Sequence, residues 1–160
     1  KELSAKDERY ILCLMGDGEL RPRIEKMVEE YKLKHKVIFT GYISNMAAML
    51  QAMDLMVLPS RFEGFPNVVL EWQIAGLPCV ISDVITRECK LTDLVSYLSL
   101  QDGPAAWADK IHSIKVIDRE IIKDQVLKQI RSAGFDIREN ARQLKDIYYE
   151  LLFKQVELHS

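Results

Sequence analysis

Two glutamates, Glu63 and Glu71, stand eight positions apart around Gly64, Pro66 and the apolar pair Val68-Val69. Ionised carboxylates are pure acceptors and sugar hydroxyls are donors, so such a pair suits a ligand rich in hydroxyls. The residues between them suit an anion. Leu55-Met56-Val57-Leu58 precedes the loop and Cys79-Val80-Ile81 follows it, so the stretch reads as strand, loop, helix, strand. The helix is expected to start near Asn67, with no Asp or Ser at its cap position. Its first N–H groups are then free to point at an anion. Gly64 permits close approach of the backbone, and Pro66 sets the entry to the helix. A helix N-terminus stabilises an anion by only about 0.3–1 kcal/mol, and by up to about 2 kcal/mol when partly buried. That is too little to hold a diphosphate alone, so cations must come from elsewhere and the carboxylates must face hydroxyls. Along a regular helix eight residues span about 12 Å, which lets one Glu serve each end of a phosphate-bearing sugar. The bland alternative for Glu71 is a solvated first-turn residue favoured by the helix dipole.

The elements that must position this loop follow from the apolar pattern. Tyr10 to Met15 is a continuous apolar run, as in a strand buried on both faces, and Gly16-Asp17-Gly18 turns it. Leu20 to Leu33 has helical periodicity through Ile24, Met27, Val28 and Tyr31. Val37-Ile38-Phe39 is a short strand stopped at Gly41, and Asn45 to Ala52 is a helix whose Met46, Met49, Leu50 and Met53 face the core. Val95 to Leu100 is a further strand. From Pro104 the chain is helical: Ala105 to Val116, then Arg119 to Ser132 capped by Asp118 and ended by Gly134. Asp136 and Glu139 form a capping box for a last helix reaching about Val156. Its Ile137, Ala141, Leu144, Tyr148, Leu151 and Leu152 lie on one face, which either covers the sheet or stays partly exposed. Alternating strands and helices predict an α/β fold with a doubly wound, parallel, Rossmann-like sheet.

The bulk properties narrow the class. At 160 residues the chain reads as one domain, and its net charge of −2 gives no footprint for nucleic acid. No apolar run reaches the length of a membrane span, and no leader is expected. Cys13, Cys79 and Cys89 lack metal-ligand spacing and read as small core hydrophobes in a reducing, cytoplasmic setting. His35, His112 and His159 are scattered and read as surface residues. Gly16-x-Gly18 lacks the third glycine of a dinucleotide fingerprint, which argues against a dehydrogenase.

The pattern Pro59-Ser60-x-x-Glu63-Gly64-Phe65, Glu71, then Gly76-Leu77-Pro78-Cys79-Val80, resembles the family-4 retaining glycosyltransferases of GT-B fold. The Glu63–Glu71 spacing matches that family's E-x7-E motif. Gly16-Asp17-Gly18 and Val37-Ile38-Phe39-x-Gly41-Tyr42 fit as well. Ser82-Asp83-x-Ile85-Thr86-x-Glu88, Trp107 and Ala133-Gly134-Phe135-Asp136-Ile137 are similar to the bacterial subgroup that builds exopolysaccharide or capsule. The resemblance implies the nucleotide-sugar half of a transferase, taking a donor such as a UDP-sugar, with no cofactor and no bound metal. It implies that Glu71 binds the ribose hydroxyls and that Glu63 faces the donor sugar near its reacting carbon, as a candidate catalytic residue. Backbone N–H groups across Phe65, Pro66, Asn67 and Val68 (Pro66 itself has none) would hold the distal phosphate or sugar hydroxyls. Gly16 would approach the ligand, and Tyr42 and Ile43 would pack near the base. The acceptor, a saccharide or a lipid-linked one, would be met through an N-terminal domain that these residues do not include. Peripheral membrane association of the full enzyme and self-association through the last helix are compatible with this picture.

Departures from the family pattern carry their own expectations. Members have a strand with a Gly-Arg pair and a nearby Lys upstream of this region, whose cations meet the diphosphate. Here Lys1 to Lys6 resembles the end of the helix that follows, so the first strand and most of its helix are lacking. That strand is central in the fold's usual order. Its lack leaves a gap, a partner-supplied strand, or two strands pairing that normally do not. Arg61 is near in sequence but reads as solvated. Trp72 stands where the family has Ala, which implies repacking beneath the helix. Two alternatives stay open: a GT-B-fold sugar-nucleotide epimerase, and a non-catalytic nucleotide-binding module.

Overall fold

The computed structural model describes Lys1–Glu157, with side chains to Leu152. His159 lies outside the described residues. The order is α1 (Glu2–Lys6), β1 (Leu12–Met15), α2 (Arg21–Glu30), β2 (Val37–Gly41), α3 (Met46–Gln51), β3 (Met56–Leu58), α4 (Asn67–Ile74), β4 (Cys79–Ser82), β5 (Val95–Leu98), α5 (Gly103–Ser113), α6 (Arg119–Ser132) and α7 (Ile137–Glu157). Short 3-10 turns at Arg87–Cys89 and Leu100–Asp102 flank β5.

Every strand pairing is parallel, as expected for an α/β fold, but the strands form two sheets. β1 pairs with β2, and β3-β4-β5 form the second sheet. β1 and β3 therefore do not pair with each other.

The three-stranded sheet is covered on both faces. The registers Met56↔Cys79, Val57↔Val80 and Leu58↔Ile81 set alternate side chains to opposite sides. Cys79 and Ile81 pack with Val69, Trp72 and Leu77, while Val80 packs on the other face with Trp107 and Ile111 of α5. Every residue of β4 is buried, which explains its unbroken apolar run. Trp72 is buried beneath α4 in the same cluster. Trp107 is pinned by its indole N–H, which donates to the Ser99 carbonyl at 2.9 Å. Burial pushes the Cys79 thiol up to about 12. All three thiols are free.

The two-stranded sheet is thinly covered. Leu12 is 50% exposed and Ile38 53%, and Val28 is the one buried residue of α2. The expectation of a β1 buried on both faces is corrected: its apolar run is longer than its cover.

Gly76 shows why a Gly-Leu-Pro sequence closes α4. It adopts φ +71°, and a Cβ there would meet the Arg119 stem at 3.3 Å. The Arg119 guanidinium donates to the carbonyls of Leu50, Gln51 and Met53, satisfying the C-terminal end of α3. A left-handed non-glycine residue costs about 1–2 kcal/mol before any crowding. Gly76→Ala is therefore expected to lower unfolding free energy by about 1–3 kcal/mol, read as a lower denaturant midpoint at constant slope.

The C-terminal helices begin as their caps dictate. Asp118 accepts the Glu120 N–H at 3.1 Å, and Asp136 accepts the N–H groups of Arg138 and Glu139 at 3.0 and 3.4 Å. The second half of the expected capping box is different: Glu139 accepts from Arg142 and Gln143 on its own helix. On α7 the apolar face is exposed, so of the two readings left open it is exposure that holds.

Candidate functional site

The loop from Pro59 to Pro66 leaves the C-terminal end of β3 and enters α4 at Asn67. In open α/β sheets this end of the strands is where ligands bind. Pro66 is the N-cap residue, extended at φ −78° and ψ 94°, and makes no side-chain cap hydrogen bond. The first N–H groups of α4 are thus left without a side-chain acceptor, as the absence of Asp or Ser at that position foretold. Gly64, Asn67 and Val68 are exposed and Pro66 is buried, so the proline anchors the turn while its neighbours face outward. Glu63 is half-buried and Glu71 exposed. Glu71 is the fifth residue of α4, beyond the first turn. The helix dipole therefore favours it little, because that effect dies away within one turn, while its exposure agrees with the solvated part of the bland reading.

Two contacts hold the loop. The Ser82 hydroxyl donates to the Ser60 carbonyl, tying the loop's start to the end of β4. Phe65 stacks on Phe135, with ring centroids 5.5 Å apart and planes at 17°. Below the helix, Gln73 is buried with its whole amide engaged. Its Nε2 donates to Val69 O at 3.0 Å and Cys89 O at 2.8 Å. Its Oε1 accepts from Leu91 N, Thr92 N and Thr92 Oγ1 at 3.0, 2.9 and 3.0 Å. The helix that carries Glu71 is thereby bolted to the Cys89–Thr92 turn. Sequence reasoning missed Ser82, Gln73 and Phe135 as supports of this loop. Phe135 had a signal, its place in the Ala133–Ile137 match; Gln73 had none, since a Gln in an amphipathic helix reads as surface.

The second group lies on the two-stranded sheet. The Gly16 N–H donates to the Gly41 carbonyl at 2.9 Å, closing the turn after β1 onto the end of β2. Gly16 has φ +109° and Gly41 φ +62°, values that favour glycine. Tyr42 follows, 87% exposed, and Ile43 is half-buried behind it. The structure thus brings Gly16 together with the Tyr42–Ile43 corner, and brings Glu63 to Val68 together with Ser82 and Phe135. These are two separate groups on two separate sheets.

Arg21 is nearest the Gly16 turn, but it bonds Asp17 at 2.9 Å and Glu25 at 2.8 Å. The Gly18 N–H and Arg21 together hold the Asp17 carboxyl below its ordinary range. Arg61 is exposed, as expected of a solvated residue. His112 is less bland than expected, with Nδ1 3.1 Å from the Tyr10 hydroxyl. Among the described residues, no group of three or more His, Cys, Asp or Glu is placed to hold a metal ion. A groove of about 450 Å³ runs beside α7, lined by Ala141, Leu144, Lys145, Tyr148, Tyr149 and Leu152. One helix face supplies its whole lining, so it has no opposing wall to orient a small ligand.

A family model described as glycosyl transferases group 1 matches residues 1–115. The chain belongs to this family. It is 33% identical over 148 residues to EpsF of Bacillus subtilis (strain 168), named as a glycosyltransferase, covering 91% of this chain and 38% of EpsF. It is 28% identical over 150 residues to the UDP-Gal:α-D-GlcNAc-diphosphoundecaprenol α-1,3-galactosyltransferase of Escherichia coli, covering 89% of this chain and 37% of that enzyme. The sucrose-phosphate synthase structure from Thermosynechococcus elongatus superposes with a TM-score of 0.72 at 24% identity, over 95% of this chain and 41% of that one. The fold is that of GT-B glycosyltransferases. The chain spans about two-fifths of the length of these proteins. Nothing among them supports the epimerase alternative. Among the described residues, no helix of this glycosyltransferase chain is long and apolar enough to cross a membrane.

Proposed function

We propose that these residues form the donor-binding domain of a retaining glycosyltransferase, which moves a sugar from a nucleotide diphosphate sugar, a UDP-sugar, to a polysaccharide or lipid-linked acceptor. The observation that carries this is the loop itself: Glu63 and Glu71 flank an uncapped helix start at the carboxyl end of β3, in a chain of this family. Glu71 accepts from the ribose hydroxyls, and Glu63 faces the donor sugar beside the bond that breaks. The backbone N–H groups of Phe65, Asn67 and Val68 donate to the distal phosphate or to sugar hydroxyls. Fixed donors of this kind stabilise the leaving diphosphate without reorganising. Gly16 gives the ligand room, and Tyr42 and Ile43 pack near the base. The acceptor meets a separate N-terminal domain of the whole protein, which works in the cytoplasm or at the inner face of a membrane. The E. coli relative's name, with its UDP-Gal donor and its diphosphoundecaprenol acceptor, supports the choice of donor and acceptor class.

The test uses the complete protein with labelled UDP-sugars and a lipid-linked saccharide. The expected product is an elongated acceptor with the anomeric configuration of the donor retained. Conversion of the free sugar nucleotide with no acceptor product would overturn the transferase reading. The polypeptide described here is expected to transfer nothing by itself.

A further inference from the structure

The stack of Phe65 on Phe135 joins residues 70 positions apart, and Phe135 is held more firmly than a loop residue needs to be. Its N–H donates to Ile130 O at 3.2 Å, and the Gly134 N–H donates to Arg131 O at 3.0 Å. With Gly134 at φ +87°, these bonds form a Schellman turn that closes α6 and fixes the backbone of Phe135. Asp136, the next residue, pairs with Arg131 at 3.4 Å and caps α7. The Asn140 side chain donates to Gly134 O at 2.9 Å. α6 in turn is anchored by Val126 and Ile130, buried with Leu94 and packed against Leu70 of α4. The corner between α6 and α7 is thus a rigid bracket standing on the helix that the loop enters.

Phe65 packs against the core cluster that includes Val69, Trp72, Cys79 and Ile81, and Phe135 stacks on its ring. Phe65 lies between Glu63 and the first N–H groups of α4, so the path of its backbone sets where those groups point. Phe135 is 39% exposed, so it adds little to the core, and among the described residues its one aromatic partner is Phe65. We infer that Phe135 is a positioning residue: it clamps Phe65 and so holds the Glu63–Val68 loop in the conformation that receives the diphosphate end of the donor. This rests on the donor reading above. It also assigns the α6–α7 corner a part in binding, although no residue of that corner carries chemistry.

The test compares Phe135→Leu, which keeps bulk and loses the stack, with Phe135→Tyr, which keeps it. Amide hydrogen exchange at Val69, the first hydrogen-bonded amide after the loop, thermal midpoints, and calorimetric affinity for UDP and UDP-glucose are read on each. An aromatic pair contributes enough to shift a local equilibrium about 2- to 10-fold. Expected in Phe135→Leu are exchange at Val69, whose N–H donates to Pro66 O at 3.0 Å, faster by about that factor, unchanged exchange at Val80 and Ile81, and affinity for both ligands lower by a similar factor. Phe135→Tyr is expected to match the parent in all of these. A parent that binds and a Phe135→Leu variant equal to it in exchange and affinity overturns the inference. Losses that follow the thermal midpoint and appear equally at Val80 and Ile81 also overturn it, since they mark a merely structural role. A parent that binds neither ligand overturns the donor reading and the positioning role with it, and unaltered Val69 exchange in the variant separately removes the clamp.

Discussion

Gln73→Met is expected to lower the unfolding free energy by about 3–5 kcal/mol, although the two side chains have nearly the same volume. The reason lies in what the amide leaves behind. Gln73 is fully buried and its carbonyl accepts from Leu91 N, Thr92 N and Thr92 Oγ1, while its NH2 group donates to Cys89 O and Val69 O. A thioether satisfies none of these. Thr92 N and Cys89 O would be stranded in the interior, at about 1–3 kcal/mol each, with the Leu91 N–H adding a smaller cost. Val69 O keeps its helical partner. A loss of this size is a large part of the 5–15 kcal/mol that stabilises an ordinary domain. Urea unfolding of parent and variant measures it; a change below 1 kcal/mol would show that the Cys89–Thr92 turn finds other partners. Because Glu71 rides on the same helix, a folded variant is also expected to place it less well.

Glu71→Ala is expected to do the opposite, sparing stability and removing binding. Glu71 is exposed and makes none of the hydrogen bonds that hold the loop. A hydrogen bond to a charged group contributes about 1.5–3 kcal/mol, which corresponds to about 10- to 160-fold in UDP affinity. Glu71→Gln keeps an acceptor and is expected to fall between. Calorimetry with UDP on folded variants decides this, and unchanged affinity in Glu71→Ala would remove the ribose role. Glu63 gives a contrast: in its proposed place beside the sugar, it is expected to matter for UDP-sugar and little for UDP.

Much of the local structure was legible because single residues encode it. Asp118 before an apolar period set the start of α6, and Gly134 set its end. The Cys79-Val80-Ile81 run was legible as a strand, and the structure covers it on both faces. The loop between β3 and α4 was legible because Gly64 and Pro66 interrupt the chain between an apolar run and a helical one. Tertiary choices were not legible. The division into two sheets depends on which strands become neighbours, and no local pattern of β1 or β3 states that. Glu139 had two acceptable sets of partners, the Asp136 N–H or side chains one turn on, and competition between them decided. Gln73 is polar at a core position, and pattern reading assigns such a residue to the surface until the partners that satisfy it are seen. Phe135 acts on a residue 70 positions away, a distance no periodicity spans.

The two groups of candidate residues, one at the Gly16–Tyr42 corner and one at the Glu63–Glu71 loop, belong to one donor site only if a single ligand touches both. Titrating UDP into the isotopically labelled chain and following every backbone amide by NMR tests this directly. The expected result is a set of shifts confined to Gly16, Tyr42, Ile43, Gly64, Phe65, Asn67, Val68 and Glu71 and their immediate neighbours. Saturable shifts clustered along α7 instead, or none at the Glu63–Glu71 loop, would contradict the account.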